Sequence, residues 1–377
     1  MARSGVPMSA RREELPYLQI LRGIAALIVA TSHSVEDVAL LTPGTARLPA
    51  ISGPFGVEIF FVISGFIICH ISWGQFQKPG AWLHFAKNRF VRLVPLCWLF
   101  TAVFLLMGQV LPGAVHHNAL SVSAVVGSLL FLPIGDASHI AAPVFMNWSL
   151  DFEVLFYALF TPLLLLSRQK ALAILTLIFT SAILLHPLFE VNTAPEFWSR
   201  YYVGEFLTGV WLAALFNWRP SWRMTPRLFW PVTAGLLAFA AFAFPWEYVR
   251  HTAVEQLAPA LVAPWFVVAA VFLRPGSLSW GSRLLKVVGD ASYSLYLTHV
   301  FTLRAIRLIL QKLHLDNALP APVYVVLIVT ACAGVAVLSY RLIERPLLNL
   351  GRRLLFTTPQ STASTPRKAG ASANRAA

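Results

Sequence analysis

At 377 residues, 57% of them hydrophobic and only 12% charged, the chain has about half the charge of an ordinary soluble domain, and its mean hydropathy of +0.68 excludes one. The formal net charge of +13 does not point to nucleic acid, because the basic residues sit in short loops and a tail and form no stripe interleaved with stacking aromatics. The composition is that of a polytopic membrane protein.

Residues 1–16 are polar and basic (Arg3, Arg11, Arg12). No small-residue cleavage site follows the first apolar run, which therefore reads as a retained helix and not a signal peptide. Segments long enough to cross a bilayer, about 17–25 residues, fall near 17–35, 54–73, 93–111, 147–167, 171–189, 201–217, 229–245, 257–273, 289–311 and 322–343. They predict an all-α transmembrane helix bundle of about ten spans over residues 17–347. The run VVGSLLFLPIG at 125–135 is too short and too broken by Gly and Pro to span, and reads as a re-entrant or interfacial piece. Residues 348–377, rich in Ser, Thr, Ala and charge, are expected to be a disordered tail.

With the N-terminus in the cytosol, 21 Lys and Arg residues fall in the inner segments, among them Arg89, Arg92, Arg168, Arg219, Arg283 and Arg352. The outer loops hold four (Arg47, Arg200, Arg250 and Lys312), and the long 112–146 loop has none. That bias predicts two cytosolic termini and an even number of spans. No internal repeat is visible, which removes support for the inverted halves of many transporters. Cys69, Cys97 and Cys332 are all in apolar segments, odd in number and without C-x-x-C spacing, so they read as packing residues and not as a disulfide framework or zinc site.

The chemistry begins in LRGIAALIVATSHS, residues 21–34. Eleven helical steps bring Arg22 and His33 to within roughly 20° of the same face, about 16 Å apart along the axis. A lone arginine near a helix start snorkels and a lone histidine packs. Paired on one face, where a charge in hydrocarbon costs about 2.5–3.5 kcal/mol, they read better as functional. Span two adds Glu58 near its outer end, and span four, NWSLDFEVLFYALF, adds Glu153 at a depth similar to His33. A carboxylate and an imidazole at one depth suit a general-base pair, the carboxylate orienting the ring and stabilising its cation. Asp151, two residues from Glu153, faces another direction on a helix and ranks below it.

Arg89 and Arg92, spaced i, i+3 at the start of span three, project two guanidinium forks from one helical face, as suits phosphate oxygens. Anchoring in a basic cytosolic loop fits the same spacing equally well. In span nine, Asp290, Tyr293, Tyr296 and His299 fit a polar packing face as well as a site. Glu344 and Arg345, at the end of span ten, read as part of a structural ion pair. His116 and His117 have no acidic or thiol neighbours in sequence and are not read as metal ligands.

Five pieces, in this order, make the chain resemble the membrane acyltransferase-3 family from about Tyr17 to Leu347: LRGIAALIVATSHS, FGVEIFFVISGF, RFVRLVP, NWSLDFEVLFY and YSLYLTH…SYRLIERPL. The LQILRGIAA start, the SLDFEVLFY form of span four and the lack of a fused extracytoplasmic domain look most like members that acetylate bacterial exopolysaccharides. The resemblance implies that Arg22 and His33 match the family's Arg-x10-His motif. It also implies that Arg89 and Arg92 match an Arg-x-x-Arg motif associated with acetyl-coenzyme A, and that Glu153 matches the glutamate of W-S-L-x-x-E. Many relatives carry a second glutamate directly after it; here Val154 stands there, which leaves a two-carboxylate mechanism without its partner.

By that resemblance the protein lies in the bacterial cytoplasmic (inner) membrane. It is expected to move an acyl group, usually acetyl, from cytosolic acetyl-coenzyme A to a hydroxyl of an exported or lipid-linked glycan, with no metal. His33 would deprotonate the acceptor hydroxyl or carry the acyl group itself, with Glu153 behind it and Arg22 polarising or anchoring the donor. Two rivals use the same polar residues: a flippase for a lipid-linked glycan, and a non-catalytic partner in a polysaccharide export complex.

Overall fold

The computed structural model describes residues 15–42, 53–110, 122–134, 148–243, 253–273, 278–315 and 318–356. The expected N-terminal segment up to residue 14, most of the 112–146 loop, Arg47, Arg250 and the tail beyond Phe356 lie outside them. Among the described residues the fold is all helix. In chain order the helices are α1 (Pro16–Leu41), α2 (Gly53–Ser72), α3 (Ala81–Val110), α4 (Val122–Leu130), α5 (Trp148–Leu163), α6 (Arg168–Leu185), α7 (Ala194–Trp198), α8 (Tyr202–Trp218), α9 (Pro226–Ala243) and α10 (Ala253–Val268). There follow α11 (Trp280–Asp290), α12 (Ser292–Lys312), α13 (Ala321–Ser339) and α14 (Arg345–Phe356), with π-helical stretches after α10 and between α13 and α14.

A helix occupies each of the ten apolar segments. Among the described residues five helices are long and apolar enough to cross a membrane: Pro16–Leu41, Gly53–Ser72, Ala81–Gln109, Arg168–Leu188 and the continuous Ala321–Phe356. Of the run that starts at residue 125, the part up to Leu130 lies in the nine-residue α4, far short of a span, pinned where the Trp98 indole N–H donates to the Leu129 carbonyl at 2.8 Å. The last helix runs on to Phe356, past the boundary expected at Leu347, because RPLLNLGRRLLF is amphipathic and α14 lies along α3.

The centre of the bundle is α2, apolar on every side and packed against α1, α8 and α10. Between helices in lipid, close approach of backbones replaces the hydrophobic drive, and small residues permit it. A Cβ on Gly65 would stand 2.1 Å from the Phe206 carbonyl oxygen, and one on Gly209 would stand 2.1 Å from that of Val62, so α2 and α8 meet backbone to backbone. Gly23 and Gly289 do the same for α1 and α11, where a Cβ on Gly289 would fall 1.8 Å from the Gln19 oxygen. These contacts set the rotation of α1 and α2 about their own axes, and so decide where Arg22 and Ser64 point. Cys69, Cys97 and Cys332 are all buried in the packing.

At the α6–α8 connection the Thr193 hydroxyl caps α7, and Arg200 donates to both oxygens of Glu196 at 2.9 and 3.1 Å. Burial pushes the Glu196 carboxyl up, but the Arg200 fork outweighs it and holds the group below its ordinary range.

Candidate active site

The site is assembled from short stripes on five helices. On α5, Ser149, Glu153 and Tyr157 recur every four residues and share a face, as do Arg89 and Arg92, three apart, on α3. With Arg22 from α1, Ser64 from α2, and Tyr293 and Tyr296 from α12, they line a cavity of about 120 Å³ inside the bundle.

Glu153 is its negative pole. One carboxylate oxygen accepts from the Ser64 hydroxyl at 3.2 Å and from the Tyr157 phenol four residues on. Arg22 donates to the Gln19 amide oxygen at 3.4 Å and lies within electrostatic reach of Glu153. The Arg89 guanidinium stands 5.6 Å from the Phe85 ring and 5.7 Å from that of Tyr157, and its buried Nε has no partner among the described residues. Arg92 donates to Glu344 at 2.5 Å, while the Ser294 hydroxyl takes the other Glu344 oxygen at 2.7 Å. The ion pair expected around Glu344 and Arg345 therefore joins Glu344 to Arg92, on a different helix.

With Arg92 engaged by Glu344, two further guanidinium groups face one carboxylate, and the cavity keeps an excess of positive charge. Such a pocket, with apolar Val57, Phe61 and Ile63 in its walls, suits an anion or a developing oxyanion. Tyr296, against Ser149 at 2.8 Å, closes one wall, and the Tyr293 hydroxyl donates to the Leu93 carbonyl at 2.6 Å.

His33 lies outside this wall. Its Nδ1 is 3.3 Å from a Glu36 oxygen, and its ring stacks on His299 with centroids 5.4 Å apart. His299 is buried, with Nδ1 on the Leu295 carbonyl and Nε2 unpartnered among the described residues. The Tyr296 ring is 6.2 Å from His299, so Tyr296 and His299 connect the cavity to His33. No hydrogen bond joins Glu153 to His33 among the described residues: Glu153 faces the cavity, and Glu36 is the carboxylate at His33. Depth along a helix says nothing about azimuth, and α5 is turned to show Glu153 to α2 and α3.

Asp151 is buried on another side of α5, as its offset from Glu153 predicts, and does not line the cavity. Glu58 is fully buried and accepts from the Tyr201 hydroxyl at 3.1 Å, also away from it. Asp290 pairs with Lys286 at 3.4 Å. Glu36 and Tyr157 were not singled out from the sequence, although i+3 from His33 and i+4 from Glu153 mark them; Ser64 carries no such signal. Among the described residues no group of three or more His, Cys, Asp or Glu side chains is placed to hold a metal ion.

A family model described as an acyltransferase domain matches residues 15–341, and so takes in every residue of the cavity. The chain belongs to the acyltransferase-3 family. Together with the five apolar helices, this makes the acyltransferase a multi-pass membrane protein. It is 29% identical over 303 residues to the exopolysaccharide production protein ExoZ of Rhizobium meliloti, covering 80% of this chain and 91% of that one. It is 26% identical to the peptidoglycan O-acetyltransferase OatA of Listeria monocytogenes and 28% identical to the putative peptidoglycan O-acetyltransferase YrhL of Bacillus subtilis. Each match covers 90% of the acyltransferase but only 57% and 56% of those longer relatives. No solved structure matches it.

Proposed function

We propose that this acyltransferase moves an acetyl group from cytosolic acetyl-coenzyme A to a hydroxyl of a surface polysaccharide, exported or lipid-linked, across the bacterial inner membrane. The observation that carries the reading is the convergence of Arg22, Arg89 and Arg92 on Glu153 and Tyr157 in one cavity. Charges at membrane depth that are not merely paired off mark a site. The names of ExoZ and OatA supply the acceptor class.

In this reading the donor's phosphates meet Arg89 and Arg92, Arg22 anchors or polarises the donor lower down, and the arm presents the thioester near His33. His33 removes the proton of the acceptor hydroxyl while Glu36 steadies the imidazolium. The hydroxyl oxygen attacks the thioester carbonyl, the thiolate leaves, and the proton held on His33 returns to it. In a relay, His33 carries the acetyl group between donor and acceptor; both routes need the same side chain.

Exchange of both Arg89 and Arg92 for lysine keeps the charge, the anchoring and the partner of Glu344, and removes the forks. The acetyl-coenzyme A affinity of the detergent-solubilised double variant should fall by about tenfold or more, the loss of one or two charge-assisted bonds. Wild-type affinity in a normally inserted protein would return the pair to anchoring.

The same reading has ten spans and two cytosolic termini. Reporter fusions in the 112–146 loop and after Phe356 should report opposite sides of the membrane. Both on one side would overturn this topology.

A further inference from the structure

A second opening lies beside the cavity. Between the α2–α3 connection, the first turns of α3, and α14 runs a groove of about 590 Å³, and Arg89 lines both spaces. Its other cationic or protonable walls are Lys78, His84 and Arg352, with Gln75 and Asn88 adding amides and, among the described residues, no carboxylate on its lining. The start of α3 forms part of the rim, and its first turn carries no acidic residue to cancel the positive end of the helix dipole.

The groove is built, not incidental. The connection turns through Gln77 (φ 60°) and Gly80 (φ 72°), a left-handed conformation that favours glycine, and the Gln77 amide donates to the Leu164 carbonyl at 2.8 Å. On the far wall α14 is held by Lys87, which donates to the Leu355 carbonyl at 3.2 Å, and by Phe356, edge-on to His84 at 5.0 Å. Gly351 lets α14 close on Val91, where a Cβ would stand 2.7 Å from a valine methyl. These contacts place Arg352 over the groove. Arg89, whose buried Nε has no partner among the described residues, lines both spaces.

We propose that this groove holds the phosphorylated nucleotide of the thioester donor, with Lys78, His84 and Arg352 around its 3′-phosphate and with Arg89, which lines both spaces, at the diphosphate from which the acyl-bearing arm passes into the cavity toward Arg92. This rests on the donor assignment made above and adds where the far end of that donor lies. The sizes divide accordingly: about 590 Å³ is within the range of small-molecule sites, about 300–1,000 Å³, whereas 120 Å³ admits a slender chain but no nucleotide. The C-terminal helix α14 thereby becomes part of the donor site and not a mere extension of the last span.

The test uses full-length protein in nanodiscs of zwitterionic lipid, with coenzyme A, 3′-dephospho-coenzyme A and adenosine 3′,5′-bisphosphate as probes. The wild type should bind coenzyme A more tightly than the dephospho form, with the bisphosphate competing. The double variant Lys78→Ala, Arg352→Ala should lose about tenfold or more in coenzyme A affinity, together with the preference for the 3′-phosphate. Both residues are exposed, so the fold should be kept. Arg352→Lys, which retains the charge, should restore part of the preference. A double variant that binds coenzyme A as the wild type does, with the preference intact, overturns the groove and leaves the donor assignment standing. A wild type that binds no coenzyme A overturns both. Displacement of bound coenzyme A by added phosphatidylglycerol would give the groove to lipid headgroups and overturn the assignment.

Discussion

Replacing His33 by alanine is expected to lower acetyl transfer to glycan by about 10²–10⁴-fold, the usual worth of positioned acid–base help, while insertion and donor binding persist. The structure gives the reason for that split. His33 is outside the wall of the Arg22–Arg89–Arg92 cavity, so the donor's charged groups keep their partners, and its side chain is 23% exposed, so alanine leaves no large buried void. What disappears is the imidazole between Glu36 and His299, with its 3.3 Å contact and its stacked ring.

Glu153→Gln offers the contrast. The amide keeps the size of the group that Ser64 and Tyr157 contact but removes the charge opposite the arginines, so donor affinity and turnover should both change. Incorporation of labelled acetyl into glycan, measured beside donor binding on the same preparation, separates the two. A folded, donor-binding His33→Ala protein that acetylates at nearly the wild-type rate would remove His33 from the chemistry.

Gly209→Val should abolish folded protein. Its Cβ would lie 2.1 Å from the Val62 carbonyl oxygen and 2.8 Å from the Phe66 nitrogen, both backbone atoms of the most deeply packed helix. No rotamer relieves such a clash; α8 must move off α2, at a cost at or above the upper end of the about 1–3 kcal/mol typical of overpacking. Ser64 is on the stretch of α2 that would shift, so the Glu153 contact should go with it. Gly334→Ala is the control: a Cβ there meets nothing within 4 Å, and the alanine favours the helix by up to about 1 kcal/mol. The yield of monodisperse protein in detergent reads both. Wild-type yield and glycan acetylation from Gly209→Val would show that α2 and α8 need not meet backbone to backbone.

The helices were legible in the sequence because hydropathy is local: each of the ten apolar segments carries one, and the short run at 125–135 stays short. Local too is the spacing that puts Arg89 beside Arg92, and Ser149, Glu153 and Tyr157 on one stripe. What a single helix cannot encode is its rotation against its neighbours. That is set by backbone contacts such as Gly65 on Phe206 and Gly289 on Gln19, between residues far apart in the chain. Only the tertiary structure therefore brought Ser64 to Glu153, joined Arg92 to Glu344 across 252 positions, and stacked His33 on His299. The same packing laid α14 along α3, because its apolar face is visible in the sequence but the surface that covers it is not.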